Sequence, residues 1–268
     1  MSTLHLKAAI NGGRSRAQHP ATPITPDQLA HDARQVLEVG ATVVHLHVRD
    51  EKGEQSIAAG HLDGVMQAIR SSSPRAIIGT TTGLWTVKDG HPERLEHVRS
   101  WFNLPDFASV AYREDGAEET ARELVGRGIA LESAVWSMAD VPALLASRVL
   151  EHNIRVLIEP EDEQPDAAVD ACREMAAALR AGGVRAPLHY HGDGETVWPV
   201  LRAAALDGAQ GSEAARLDGI AGDAEAQLGR AAHLRRRIVE QQRQRVARRE
   251  VELQRHCGAA GLEAIEGR

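Results

Sequence analysis

With 268 residues, 43% of them hydrophobic, the chain can bury one sizeable core, and a barrel of about 250 residues commonly forms a single domain. A formal net charge of -7 with 26% charged residues favours a soluble protein and argues against a surface built to bind nucleic acid. No apolar run approaches the ~20 residues that cross a bilayer, and residues 1–5 lack the basic and apolar regions of a signal peptide. The two cysteines, Cys172 and Cys257, form neither a metal motif nor a disulfide framework. A cytoplasmic protein with reduced thiols, no membrane partner and no nucleic-acid partner is therefore expected.

In chain order, an apolar strand over 4–10 leads into a Gly/Arg loop over 11–16. Thr25-Pro26-Asp27 supplies a cap, an N1 proline and an early acid, so a helix is predicted from Thr25 to about Gly40. Strand–helix pairs are then predicted at 42–48 with 61–71, 75–80 with 92–100, 106–110 with 117–126, and 129–133 with 141–151. Three more follow: 155–158 with 166–181, 187–190 with 195–206, and a weakly β-prone 209–212 before a long helix from about Asp223. Eight alternating units predict a parallel sheet closed into a (β/α)8 barrel, because each parallel crossover needs a covering helix. Residues 1–233 are assigned to that barrel and 234–268 to a charged C-terminal helical extension. The Arg235-Arg236-Arg237 and Arg248-Arg249 clusters read as a solvated helix face with internal ion pairs rather than an anion or RNA contact.

Side chains alternate along a strand, so Val44, Leu46 and Val48 share one face, while His45, His47 and Arg49 share the other. Two imidazoles projecting together from the C-terminal end of a barrel strand can hold one divalent ion, and zinc accepts such nitrogens together with carboxylate oxygen. A hydrogen-bonded pair inside the barrel is the plainer reading of the same pattern. A second His-x-His, His189 and His191, lies on the seventh strand, as base, substrate contact, loose metal ligand or simple lining pair. Glu159 ends strand six as a strand-end acid or a loop cap. Trp85 and Trp136 follow strands three and five as packing residues or covers for a bound acyl group.

Several motifs together resemble the β-keto acid cleavage enzymes, whose prototype is the 3-keto-5-aminohexanoate cleavage enzyme. They are Asn11-Gly12-Gly13-Arg14, His45-Leu46-His47-Val48-Arg49-Asp50, Thr81-Thr82-Gly83 and Phe107-Ala108-Ser109-Val110. Arg155-Val156-Leu157-Ile158-Glu159-Pro160 and His191-Gly192-Asp193-Gly194 continue the series, in order from about Leu4 to Gly219. The resemblance implies a zinc-dependent barrel that condenses a β-keto acid with acetyl-CoA, releasing acetoacetate and a new CoA thioester. It implies metal ligation by His45, His47 and Glu213. It places Thr81 at a hydroxyl position beside the substrate and Glu132 at an acidic substrate position, with Asn11, Arg14 and Arg49 in the binding loops. A homo-oligomer is expected.

Two departures matter. The family's arginine and aspartate around the last metal ligand, which form a base dyad, are Ala209 and Ala214 here. The position where the family often carries an acid that reads a substrate amine is Arg14, which favours an anionic or neutral substrate tail. His189 or His191 is expected to supply the missing base. The alternatives are a degenerate barrel that binds metal or ligand without turnover, and another metal-dependent barrel hydrolase or lyase.

Overall fold

The computed structural model describes residues 6–161, 164–207, 209 and 212–214. The chain divides into two units, Met1–Glu225 and Ala226–Arg268, and every described residue belongs to the first. The expected charged C-terminal helix lies outside the described residues.

The first unit alternates parallel strands and helices: β1 (Leu6–Ala9), α1 (Pro26–Glu38), β2 (Val43–Leu46), α2 (Ala59–Ser72), β3 (Ile78–Thr81) and α3 (His91–Ser100). It continues with β4 (Phe107–Ala111), α4 (Ala117–Gly126), β5 (Ala130–Val135), α5 (Val141–Leu145), β6 (Asn153–Ile158) and α6 (Pro165–Ala181). The last described elements are β7 (Leu188–Tyr190), α7 (Val197–Asp207) and the short β8 (Ser212–Ala214). Each strand pairs with its sequence neighbours, and β8 pairs back onto β1 through Lys7↔Glu213, so the strand order closes on itself.

The helices bury one stripe each, as their periodicity requires. On α6 that stripe is Ala168, Cys172, Met175 and Leu179, and on α2 it is Leu62, Val65, Met66 and Ile69. The predicted start of α1 is realised in full. The Thr25 side chain accepts from the Gln28 backbone while the Gln28 side chain accepts from the Thr25 backbone, with Pro26 at the first helical position. Inside the ring of strands, the Phe107 ring lies where any side chain at Gly79 would have to be, so the glycine makes room for this large aromatic.

Three elements differ from expectation, each because side chains or turns take the backbone first. β3 begins at Ile78 rather than 75: a turn closes from Ala76 N to Ser73 O, and Asp106 Oδ2 then receives Ile78 N. The helix predicted over 141–151 stops at Leu145. Beyond it, Ser147 Oγ accepts from Val149 N and Glu118 Oε1 accepts from Arg148 N, leaving a separate 3-10 turn at Leu150–His152. β8 is Ser212–Ala214 rather than 209–212, because Ala209 N still closes the end of α7 on Ala204 O. Glu213 therefore sits within the last strand rather than beyond it.

Candidate active site

The C-terminal ends of the strands open onto a cavity of about 250 Å3. His45 and His47 of the second strand segment both line it, with ring centroids 5.4 Å apart in an edge-to-face arrangement. Thr81, Trp85, Trp136, Glu159 and His191 complete the functional part of the lining.

His47 is braced by the fold. The Asn11 side chain pairs with the His47 backbone like a strand: Nδ2 donates to His47 O at 2.7 Å and Oδ1 accepts from His47 N at 2.8 Å. Nδ2 also reaches Pro23 O, so Asn11 fixes the end of β2. The His47 ring is oriented from outside by Gln55. Nε1 of Trp85 donates to Gln55 Oε1 at 2.9 Å, and an indole nitrogen can only donate, which identifies that atom as the amide oxygen. Nδ1 of His47, 2.6 Å from the same oxygen, must then carry a proton, so Nε2 bears the lone pair of the neutral ring. A ligating histidine needs such an arrangement. Among the described residues no three His, Cys, Asp or Glu side chains form a metal-binding group. The backbone register of β8 sets Glu213 abreast of Lys7.

On the opposite wall, His191 Nε2 is 3.3 Å from Glu159 Oε1. This is the arrangement of an imidazole oriented by a carboxylate. Thr81 is buried at the end of β3 and its Oγ1 accepts from Gly83 N at 3.0 Å. The loop after β3 is itself pinned by the fully buried Arg94, which donates to Glu114 Oε2 at 2.6 Å and to the Asp115 carbonyl, while Glu114 Oε1 receives Leu84 N. Burial raises the Glu114 carboxyl above its ordinary value even against the opposing pull of Arg94. Trp85 lies across Gly83 so closely that a side chain at that position would have to displace the indole.

Three expected substrate residues have other partners here. Glu132 is fully buried below the cavity; Lys7 Nζ donates to its Oε1 at 2.6 Å and Arg155 Nε donates to its Oε2. Arg49 donates to the carbonyls of Gly12 and Arg14 at 2.6 and 2.7 Å, which ties down the β1–α1 loop. Burial pulls its guanidinium below the ordinary value, with Glu54 acting against this. Arg14 is half-buried and offers that loop a carbonyl; neither it nor Arg49 is part of the cavity lining. His189 is buried on β7 but does not line the cavity, whereas His191 does.

Lys7, Gln55 and Arg155 were not singled out from the sequence. Lys7 had a visible signal: it is the one charge in the apolar run over 4–10, and strands buried on both faces read as near-continuous apolar runs. Gln55 gave none, because it lies in a loop and reaches His47 only through the tight turn at Asp50–Gly53 and the Arg49↔Gln55 bridge.

Residues 3–208 match the sequence profile of the beta-keto acid cleavage enzymes. The chain belongs to this family. Over 111 residues it is 33% identical to the 3-keto-5-aminohexanoate cleavage enzyme of Acetoanaerobium sticklandii, a match covering 41% of this chain and 39% of the relative. Over 79 residues it is 34% identical to the 3-oxoadipate:acetyl-CoA acetyltransferase of Cupriavidus necator, covering 29% and 28%. These matches thus span well under half the length of the curated relatives. Among solved structures, the apo form of ObcA superposes with a TM-score of 0.60 at 17% identity, over 75% of this chain and 56% of that one. Type I 3-dehydroquinate dehydratase from Clostridium difficile gives 0.57 at 12% identity, over 82% and 87%. At such identities these structures speak for a shared parallel α/β fold alone. No helix among the described residues is long and apolar enough to cross a membrane.

Proposed function

We propose that the chain is a metal-dependent β-keto acid cleavage enzyme on a (β/α)8 barrel, acting with acetyl-CoA. A β-keto acid gives up its acyl group to the CoA sulfur, and the acetyl group takes over the released CH2–carboxylate. The products are an acyl-CoA and acetoacetate. Family membership and the relatives' activities support this reading. The observation that carries it is the meeting of His45, His47, Thr81 and His191 around one cavity.

The two imidazoles, one with its ligating tautomer imposed by Gln55, fit zinc or a similar borderline divalent ion, and the family resemblance gives Glu213 as the third ligand. When bound, such an ion supplies Lewis-acid stabilisation of negative charge on the keto acid's oxygens. The chain's own residues do the rest. In this reading the Thr81 hydroxyl, which accepts from Gly83 N, donates its proton to the substrate carboxylate. His191, whose Nε2 faces Glu159 in the cavity wall, takes the place of the proton-handling group that Ala209 and Ala214 cannot supply. Trp85 and Trp136 exclude water from the cavity mouth.

The test is a panel of β-keto acids incubated with acetyl-CoA and zinc-loaded protein, assayed for acetoacetate. Product from any member, lost in His45→Ala and His47→Ala, is the expected result. Zinc and keto-acid binding without product favours the second reading, a barrel that retains the site but not turnover. The two alanines at 209 and 214 motivate it.

A further inference from the structure

We infer that the acyl tail of the substrate is uncharged and apolar, seated on a wall formed by Ala111, Ala134 and Leu157 under Trp136. The inference rests on the cleavage reading above and names the substrate class for that site.

Ala111, Ala134 and Leu157, at the ends of β4, β5 and β6, form one small buried cluster, and Trp136 packs against it. All four line the cavity. Two of them are alanines, so the wall is both apolar and recessed. Trp85 extends it outward: its ring centroid lies 5.9 Å from that of Trp136, and it is 45% exposed at the mouth.

The charges around this wall disfavour a cationic tail. An ammonium needs a carboxylate when water is excluded, because burying an unpaired charge is costly. Glu132 cannot serve, since Lys7 and Arg155 occupy both of its oxygens and it lies beneath the floor. Glu159 faces His191. Two further charges beside the wall are already paired: the Lys7 ammonium in the floor with Glu132, and the Arg113 guanidinium, 5.0 Å from the Trp136 ring centroid, with Glu161. The three aliphatic side chains offer a carboxylate-ended tail no donor, and the one neutral donor on this wall, the buried Trp136 Nε1–H, does not replace the hydration of an ionised carboxylate.

Size adds a limit. A cavity of about 250 Å3 holds roughly eight atoms at the ~30 Å3 that each water occupies in the liquid. Roughly six belong to the keto-acid head, so only a few tail carbons are enclosed, and a longer tail must run out past the exposed Trp85 ring.

The experiment measures binding apart from turnover. Three β-keto acids of matched length, ending in methyl, ammonium or carboxylate, are titrated against the zinc-loaded protein while tryptophan fluorescence is followed. The methyl-ended acid is expected to bind at least tenfold more tightly than either charged one. Trp85→Ala, at an exposed position that does not threaten folding, should weaken the methyl-ended acid severalfold and leave the preference order unchanged. Ala134→Asp should narrow or reverse the preference against the ammonium. Equal binding of all three acids, or a preference for the ammonium in the unmodified protein, overturns the inference. Tight, selective binding without any acetoacetate leaves the tail inference standing and removes the cleavage reading. Absence of binding by all three removes both.

Discussion

Nδ1 of His47 and Nε1 of Trp85 share a single acceptor, Oε1 of Gln55, at 2.6 and 2.9 Å. One amide oxygen thus sets both the tautomer of a proposed metal ligand and the position of the aromatic rim. Loss of such an outer partner typically costs about 10–100-fold in metal affinity. Gln55→Leu is expected to weaken zinc binding by that order, whereas Gln55→Glu, which keeps an acceptor oxygen, should retain it. Competition with a chelator of known affinity measures both. Undiminished affinity in Gln55→Leu would remove His47 from the ligand set.

The Lys7–Glu132 pair is almost wholly enclosed, at 1% and 0% side-chain exposure. Removing one member of a buried pair leaves the other without compensation, at a cost of about 3–5 kcal/mol. Lys7→Met should fall at the lower end, about 3 kcal/mol, because Arg155 still meets Glu132. Lys7→Met combined with Glu132→Gln should recover part of that loss. Urea unfolding midpoints report the difference; an unchanged midpoint in the single variant would show that the pair is not held in this way in solution.

If His191 handles the proton, His191→Gln should lower acetoacetate production by about 10²–10⁴-fold. His189→Gln, at a position outside the cavity lining, should do much less. Restoring Ala209→Arg together with Ala214→Asp should leave the rate near that of the unmodified chain. A large gain from the restored pair, with His191→Gln harmless, would place the base elsewhere.

The chain has two tyrosines, and burial pushes both phenols, Tyr112 and Tyr190, up to about 12 from an ordinary 10.0; the hydrogen bond to Ser147 opposes the shift at Tyr112. A folded-state value above the unfolded one contributes stability that is complete below about pH 10 and is lost as pH rises through about 12. The native protein should therefore show little tyrosinate absorbance between pH 10 and 11, and alkaline unfolding and tyrosine ionisation should coincide near the top of that window. Ionisation of both residues near pH 10 with the fold intact would contradict their burial.

The sequence by itself determined the alternation of strands and helices, the Thr25 cap and the common facing of His45 and His47. These depend on local periodicity and capping, which a stretch of chain carries within itself. It also distinguished Ala209 and Ala214 from the family pattern. It could not separate His189 from His191, although both face the same way along one strand, because depth in a barrel depends on where the neighbouring strands end. Nor could it show that Glu132 faces two cations while Arg49 serves two backbone carbonyls. Those partners stand 125, 23, 37 and 35 residues away in the chain, and only strand register brings them together. Tertiary structure alone decided which charges were neutralised below the cavity, and so which wall was left apolar. Charge pairing depends on distance in space, to which sequence separation is blind.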